Sequence, residues 1–267
     1  MGFKGHFAPG MYMILTALWH LQNGLKRYYQ CKRNGTLGKL RLTASYPGVP
    51  FLGKRYSRIH AEGLILLVAG ALDAIAEFII GIGPRNHTEY WIMPSSSQHV
   101  VMLTLMCVRS IISLICYYTK WLPHEADYLT TGLLPILLIP LFVFHIHGKA
   151  TSDALVHVTM GLFLYLMGSF TLYEMKHRNS IMALIGKAFI SILMGVWFIH
   201  AAGVLLVFEP LLTNHVSMDV SSQIVYLSLY FILDALCIAA VFMYITARVE
   251  KHVMTEYPTK KYLKNVF

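Results

Sequence analysis

The sequence is short of charge. Aspartate, glutamate, lysine and arginine make up 13% of its 267 residues, where a soluble globular domain carries roughly 25%. That shortage excludes a chain wrapped on all sides by water. Cysteine is scarce as well. Three of the four, Cys107, Cys116 and Cys237, lie inside apolar runs, which excludes a readable disulfide framework. Cys31 stands just outside the first apolar run, where a thiol beside a membrane can take a palmitoyl chain. No HExxH, GxSxG, CxxC or glycine-rich phosphate loop occurs, so no local motif names a reaction. Paired broken helices and internal repeats of the transporter kind are missing too. The first apolar run holds Pro9, Trp19 and His20 and is not followed by a small-residue cleavage site, so it reads as a retained helix.

What the chain has instead is apolar length. Hydrophobic residues are 56% of the total, and a helix needs about 20 of them in a row to cross a bilayer core. Seven stretches qualify, at about 7–24, 60–82, 98–118, 127–147, 153–173, 181–208 and 223–247. Backbone amides left unpaired in lipid are too costly, so each stretch reads as a helix. The expected fold is all-α: a single polytopic membrane helix bundle with about seven transmembrane helices. Residues 25–59 form the one long connection and 248–267 the tail, both basic.

The formal net charge is +9 and its placement is lopsided. Segment 25–59 holds nine lysines and arginines and no acid, and the tail after Ala247 holds five. Lys176, Arg178 and Lys120 fall on the same side of a seven-span chain, against Lys4, Arg85 and Lys149 on the other. Lysine and arginine collect in cytosolic loops. The N-terminus is therefore expected to be lumenal or extracellular, and the C-terminus cytosolic. The basic loop and tail then contact anionic cytosolic lipid headgroups, which accounts for the net charge without nucleic acid. Asn86–His87–Thr88 is a glycosylation sequon on the lumenal side, and Asn34–Gly35–Thr36 is one on the cytosolic side.

Ionisable residues inside spans are expensive and face the bundle interior. Glu62, Asp73 and Glu77 share one face of the second helix, Asp73 lying about 20° and Glu77 about 60° round from Glu62. Arg109, Lys187, His200 and Asp234 lie within later helices. Asp73 is a candidate partner for Arg109, and Asp234 for Lys187. Lys187 can also snorkel towards the cytosol. His20 reads as a packing histidine and His60 as an interfacial one. His6, Glu77, His99, His145, His147 and His157 fall towards the lumenal ends of their helices. Histidine with carboxylate suits zinc or iron, and paired histidines suit haem. His145 and His147 are two apart, so they diverge if the helix continues.

Read in order, several short motifs resemble the transmembrane protein 45 family. They are Gly5–His6 with Pro9–Gly10, Leu18–Trp19, Glu62 with Glu77, Gln98–His99, Leu122–Pro123 leading to Asp127, His145–Ile146–His147, Asp153 with His157, and Gly195–Val196–Trp197–Phe198. The match runs along nearly the whole chain. It implies a seven-helix protein of the secretory or endolysosomal system or the plasma membrane. It implies no established catalytic mechanism. His200 is outside that pattern, and a histidine expected in the seventh helix is replaced by apolar residues beside Asp234.

Three functions are open at this point. A lumenal metal or haem site would serve membrane redox or hydrolytic chemistry. A proton- or ion-coupled carrier would use a polar path through Glu62, Asp73, Glu77, Arg109 and Asp234. A non-enzymatic adaptor or trafficking protein would use the basic loop and tail. The orientation is open to a direct check. Protein made in a eukaryotic secretory system should shift in mobility on endoglycosidase digestion, and Asn86→Gln should abolish the shift while Asn34→Gln leaves it. A shift that needs Asn34 would invert the topology.

Overall fold

The computed structural model describes residues 3–48, 56, 58–82, 92–119, 121–144, 151–203 and 219–256. Seven helices follow in order: α1 (Phe3–Arg33), α2 (Ala61–Ile82), α3 (Pro94–Tyr118), α4 (His124–Phe144), α5 (Thr151–Lys176), α6 (Ile181–Gly203) and α7 (Val220–Glu256). No strand occurs among the described residues. All but α1 are long and apolar enough to cross a membrane, so the chain is a multi-pass membrane helical bundle. α1 carries Trp19, His20, Gln22 and Asn23 in its middle. Of these His20 is buried, Trp19 and Asn23 are half-buried and Gln22 is exposed, and the helix packs along α6 and α7.

α1 runs nine residues past the end of its apolar stretch at Gly24. Leu25, Lys26, Arg27, Gln30, Lys32 and Arg33 are all good helix formers, so hydropathy falls while the helix continues. The stop comes at Gly35, whose φ of +66° is the left-handed value that favours glycine. There the Thr36 N–H donates to the Cys31 carbonyl at 2.8 Å and the Gly35 N–H to that of Lys32 at 3.2 Å. These are the two crossed bonds of a Schellman cap.

Beyond the cap the chain does not stay in solvent. Leu40, Leu42, Ala44 and Tyr46 are buried at every second position while Arg41 is exposed, which is the period of an extended segment, and Ser45 on the other face is buried as well. This strap lies across one end of the bundle. The Leu42 N–H donates to the Arg178 carbonyl at 2.7 Å, and Arg178 Nε donates back to the Leu42 carbonyl at 3.0 Å. Trp19 Nε1 donates to the Tyr46 carbonyl at 3.2 Å, and Arg27 stands 4.8 Å over the Tyr46 ring. Part of the basic 25–59 segment is thus helix and part is an inserted strap. Arg27, Arg41 and Arg178 bond carbonyls of the chain itself.

α2 packs on α3, α4 on α5, and α1 on α6, with α5 beside α6 and α3 beside α4. Two of these contacts depend on glycine. A methyl group at Gly10 would lie 2.6 Å from the Gly195 carbonyl oxygen, and one at Gly195 would lie 2.7 Å from that of Gly10. Small residues let membrane helices approach this closely. Gly168 meets the Gly132 carbonyl in the same way between α5 and α4. Gly195→Val should therefore destabilise the bundle by about 1–3 kcal/mol, read as a lower melting temperature in detergent. Gly38→Ala has open space around it and should change stability by less than about 0.5 kcal/mol. Equal effects of the two would mean that α1 and α6 do not cross at these glycines.

Candidate functional site

The strap, the α3–α4 turn and the α5–α6 turn share one end of the bundle, here called the basic end. Three buried polar groups stand behind it. The first joins four helices. Arg109 Nη2 of α3 donates to Glu62 Oε1 of α2 at 2.7 Å, and Arg109 Nε donates to Thr131 Oγ1 of α4 at 3.2 Å. His20 Nε2 of α1 lies 2.7 Å from Glu62 Oε2. A carboxylate only accepts, so this nitrogen carries the proton in either charge state of the ring. The Tyr12 hydroxyl reaches the Glu62 carbonyl at 3.4 Å. Glu62 sits in the first turn of α2, where a carboxylate also gains from the helix dipole.

The second group is Ser45, His60, Asp127 and Ser113. Ser45 Oγ donates to Asp127 Oδ2 at 2.7 Å, and His60 Nε2 lies 3.1 Å from Ser45 Oγ. The residue types are those of a hydrolase triad, but the proton placement is not. His60 Nδ1 accepts from the Gly63 N–H at 3.1 Å. Nε2 therefore bears the proton and donates to Ser45 instead of drawing a proton from it. The serine passes its own proton on to Asp127. This group fastens the strap to α2, α3 and α4. Burial pushes the neighbouring Tyr46 hydroxyl up to about 12, so the strap carries a neutral phenol. The third group is Lys187 with Glu174 at 2.9 Å, and Tyr128 donates to the same carboxylate oxygen at 2.8 Å.

The first group is the floor of a central cavity of about 420 Å³. Leu66, Met102, Met106, Leu138, Met194 and Phe198 make its walls. Above Tyr12 and His20, α1 and α2 make no broad contact with each other. Ala8 of α1 and Ile65, Ala69 and Asp73 of α2 line the cavity and are exposed. Among the described residues the cavity therefore reaches the surface between these two helices.

The candidates named from the sequence fall into separate places. Arg109 pairs with Glu62 and not with Asp73. Lys187 pairs with Glu174, and Asp234 lies 3.2 Å from His200. Partner choice followed depth: Asp73 is eleven residues, about 16 Å, along α2 from Glu62. Glu77 meets His99 Nδ1 at 3.2 Å and does not line the cavity. His20 is a buried histidine satisfied by Glu62, and His60 is buried rather than interfacial. His6 and His157 bring their rings to 6.4 Å between centroids, edge to face, beside Phe142 and Phe198. His145, His147 and Asn86 lie outside the described residues, as does the side chain of Asp153. Among the described residues no three histidines, cysteines or carboxylates are grouped to hold a metal ion. Ser45 and Glu174 were not among the candidates. The alternating strap around Ser45 was a readable signal, as was a carboxylate before the short turn leading to Lys187.

No protein-family model matches the chain.

The Arg109–Glu62 pair can be tested by a double-mutant cycle. Glu62→Leu or Arg109→Met alone should cost about 3–5 kcal/mol, because each leaves an uncompensated buried charge. The double variant should recover most of that loss. Strictly additive losses in thermal or denaturant unfolding would mean that the two side chains do not interact.

Proposed function

We propose that this protein takes one apolar or amphipathic small molecule from the surrounding bilayer and holds it in the central cavity. The observation that carries this reading is an apolar cavity that reaches the surface between α1 and α2 and is floored by buried hydrogen-bonding groups. Small-molecule sites share that build, about 300–1,000 Å³ of apolar wall with a few placed polar groups. A conduit for ions needs polar groups along its length. Here Glu62 is tied to Arg109 and His20, and Glu77 to His99 outside the cavity. In this reading the basic end faces the cytosol, in a secretory, endolysosomal or plasma membrane. The sequence motifs that resemble the transmembrane protein 45 family support that setting.

The test is labelling of the full-length protein in lipid nanodiscs with a hexadecyl probe bearing a photoactivatable diazirine. Saturable labelling of peptides holding Tyr12, Met102 or Met106, competed by unlabelled amphiphile, is the expected result. Labelling confined to the lipid-facing surface of α7, with no competition, would contradict it.

A second reading keeps the metal or haem site, on the strength of the His6–His157 pair. Two rings at that separation are close enough to share an ion, and a catalytic zinc needs three protein ligands. In this reading His145 or His147 supplies the third. Stoichiometric zinc or iron in purified protein, lost together with His157→Ala, supports it. A metal-free preparation without a haem spectrum contradicts it.

A further inference from the structure

Resting on the cavity reading, we infer that the molecule it holds is an amphiphile with an uncharged hydroxyl or carbonyl head, seated against Arg109, Thr131 and His20. Charge balance at the cavity floor argues for this. Two cations line the cavity, Arg109 and Lys187, and each already has its own carboxylate, Glu62 at 2.7 Å and Glu174 at 2.9 Å. Asp73 adds a further carboxylate on the α2 wall. No positive charge is left unmatched among these groups, so a phosphate or carboxylate head would enter as an uncompensated anion in a low-dielectric site. It would also have to compete with Glu62 for a guanidinium that is already paired.

Hydrogen-bonding capacity is not exhausted in the same way. A guanidinium has five N–H groups, and the bonds to Glu62 and Thr131 together with a contact to the Tyr12 hydroxyl engage three of Arg109's. Thr131 Oγ1, accepting from Arg109, still has a proton to give. The floor thus offers donors without offering net charge, which matches a neutral oxygen acceptor. An ammonium head brings donors to a site whose guanidinium accepts nothing, and it places a like charge beside Arg109. Apart from Asp73, Thr16 and Ser191, the walls above are apolar, so the rest of the molecule is a mainly apolar body.

The experiment uses four probes that share a hexadecyl chain: the alcohol, the carboxylic acid, the amine and the phosphate monoester. Each competes against the photoactivatable hexadecyl probe on wild-type protein in nanodiscs. The alcohol should compete at least about tenfold better than the three charged probes, as expected when a like charge or an unmatched one must be buried. A Glu62→Gln variant frees the Arg109 charge and should bring the acid level with the alcohol or past it. The wild-type series decides the matter even if that variant does not fold. If an acid, phosphate or amine leads on the wild-type protein, the head-group assignment is wrong while the cavity reading stands. If none of the four competes, the cavity reading itself falls.

Discussion

A guanidinium and a carboxylate can stay inside a membrane protein only if each satisfies the other, and the meeting of Arg109 with Glu62 orders much of this structure. It ties α3 to α2 directly, draws in α1 through His20 and reaches α4 through Thr131. Four helices are held in register at one depth, and α1 and α2, which share little other contact, are linked through it. A buried ion pair is weak evidence for added stability, since apolar replacements often do as well. Its effect here is on position. By holding α1 and α2 together only near the basic end, it leaves them apart further along, and that separation is the mouth of the cavity.

The remaining polar groups act around this one. Lys187 with Glu174 and Tyr128 joins α6 to α5 and α4. Ser45, His60, Asp127 and Ser113 pin the strap beneath them. On the opposite flank, α1 and α6 are brought together by backbone approach at Gly10 and Gly195. α1 is thus fixed along α6 and stands off from α2. The cavity is a consequence of this unequal packing, with tight glycine contact on one side of α1 and a single polar attachment on the other.

Much of the fold is legible in the sequence because bilayer thickness imposes a length on apolar runs. The runs that became α2 through α7 could be bounded to within a few residues where their ends are described, apart from α7, whose polar C-terminal turns continue to Glu256. α1 shows where that rule stops. Its last turns are polar, so hydropathy ended it at Gly24, while helix propensity and the cap at Gly35 carried it to Arg33. The partners of buried charges were not legible. Turning 100° per residue places Glu62, Asp73 and Glu77 within about 60° of one another on α2, but a face says nothing about depth. Glu62 finds His20 and Arg109, 42 and 47 residues away in sequence, and only the three-dimensional packing brings them level. The same limit applies to His60, which stands at a helix entrance and is buried because the strap covers it.

The central claim is that α1 and α2 stand apart above their polar attachment and admit a molecule from the bilayer. Its most direct test is an electron cryomicroscopy map of the protein in a lipid nanodisc, carried on a bound antibody fragment. The account predicts an elongated non-protein density that enters between α1 and α2 and ends at Arg109. A map in which α1 packs against α2 along its length, with side chains filling the space above Glu62, would contradict it.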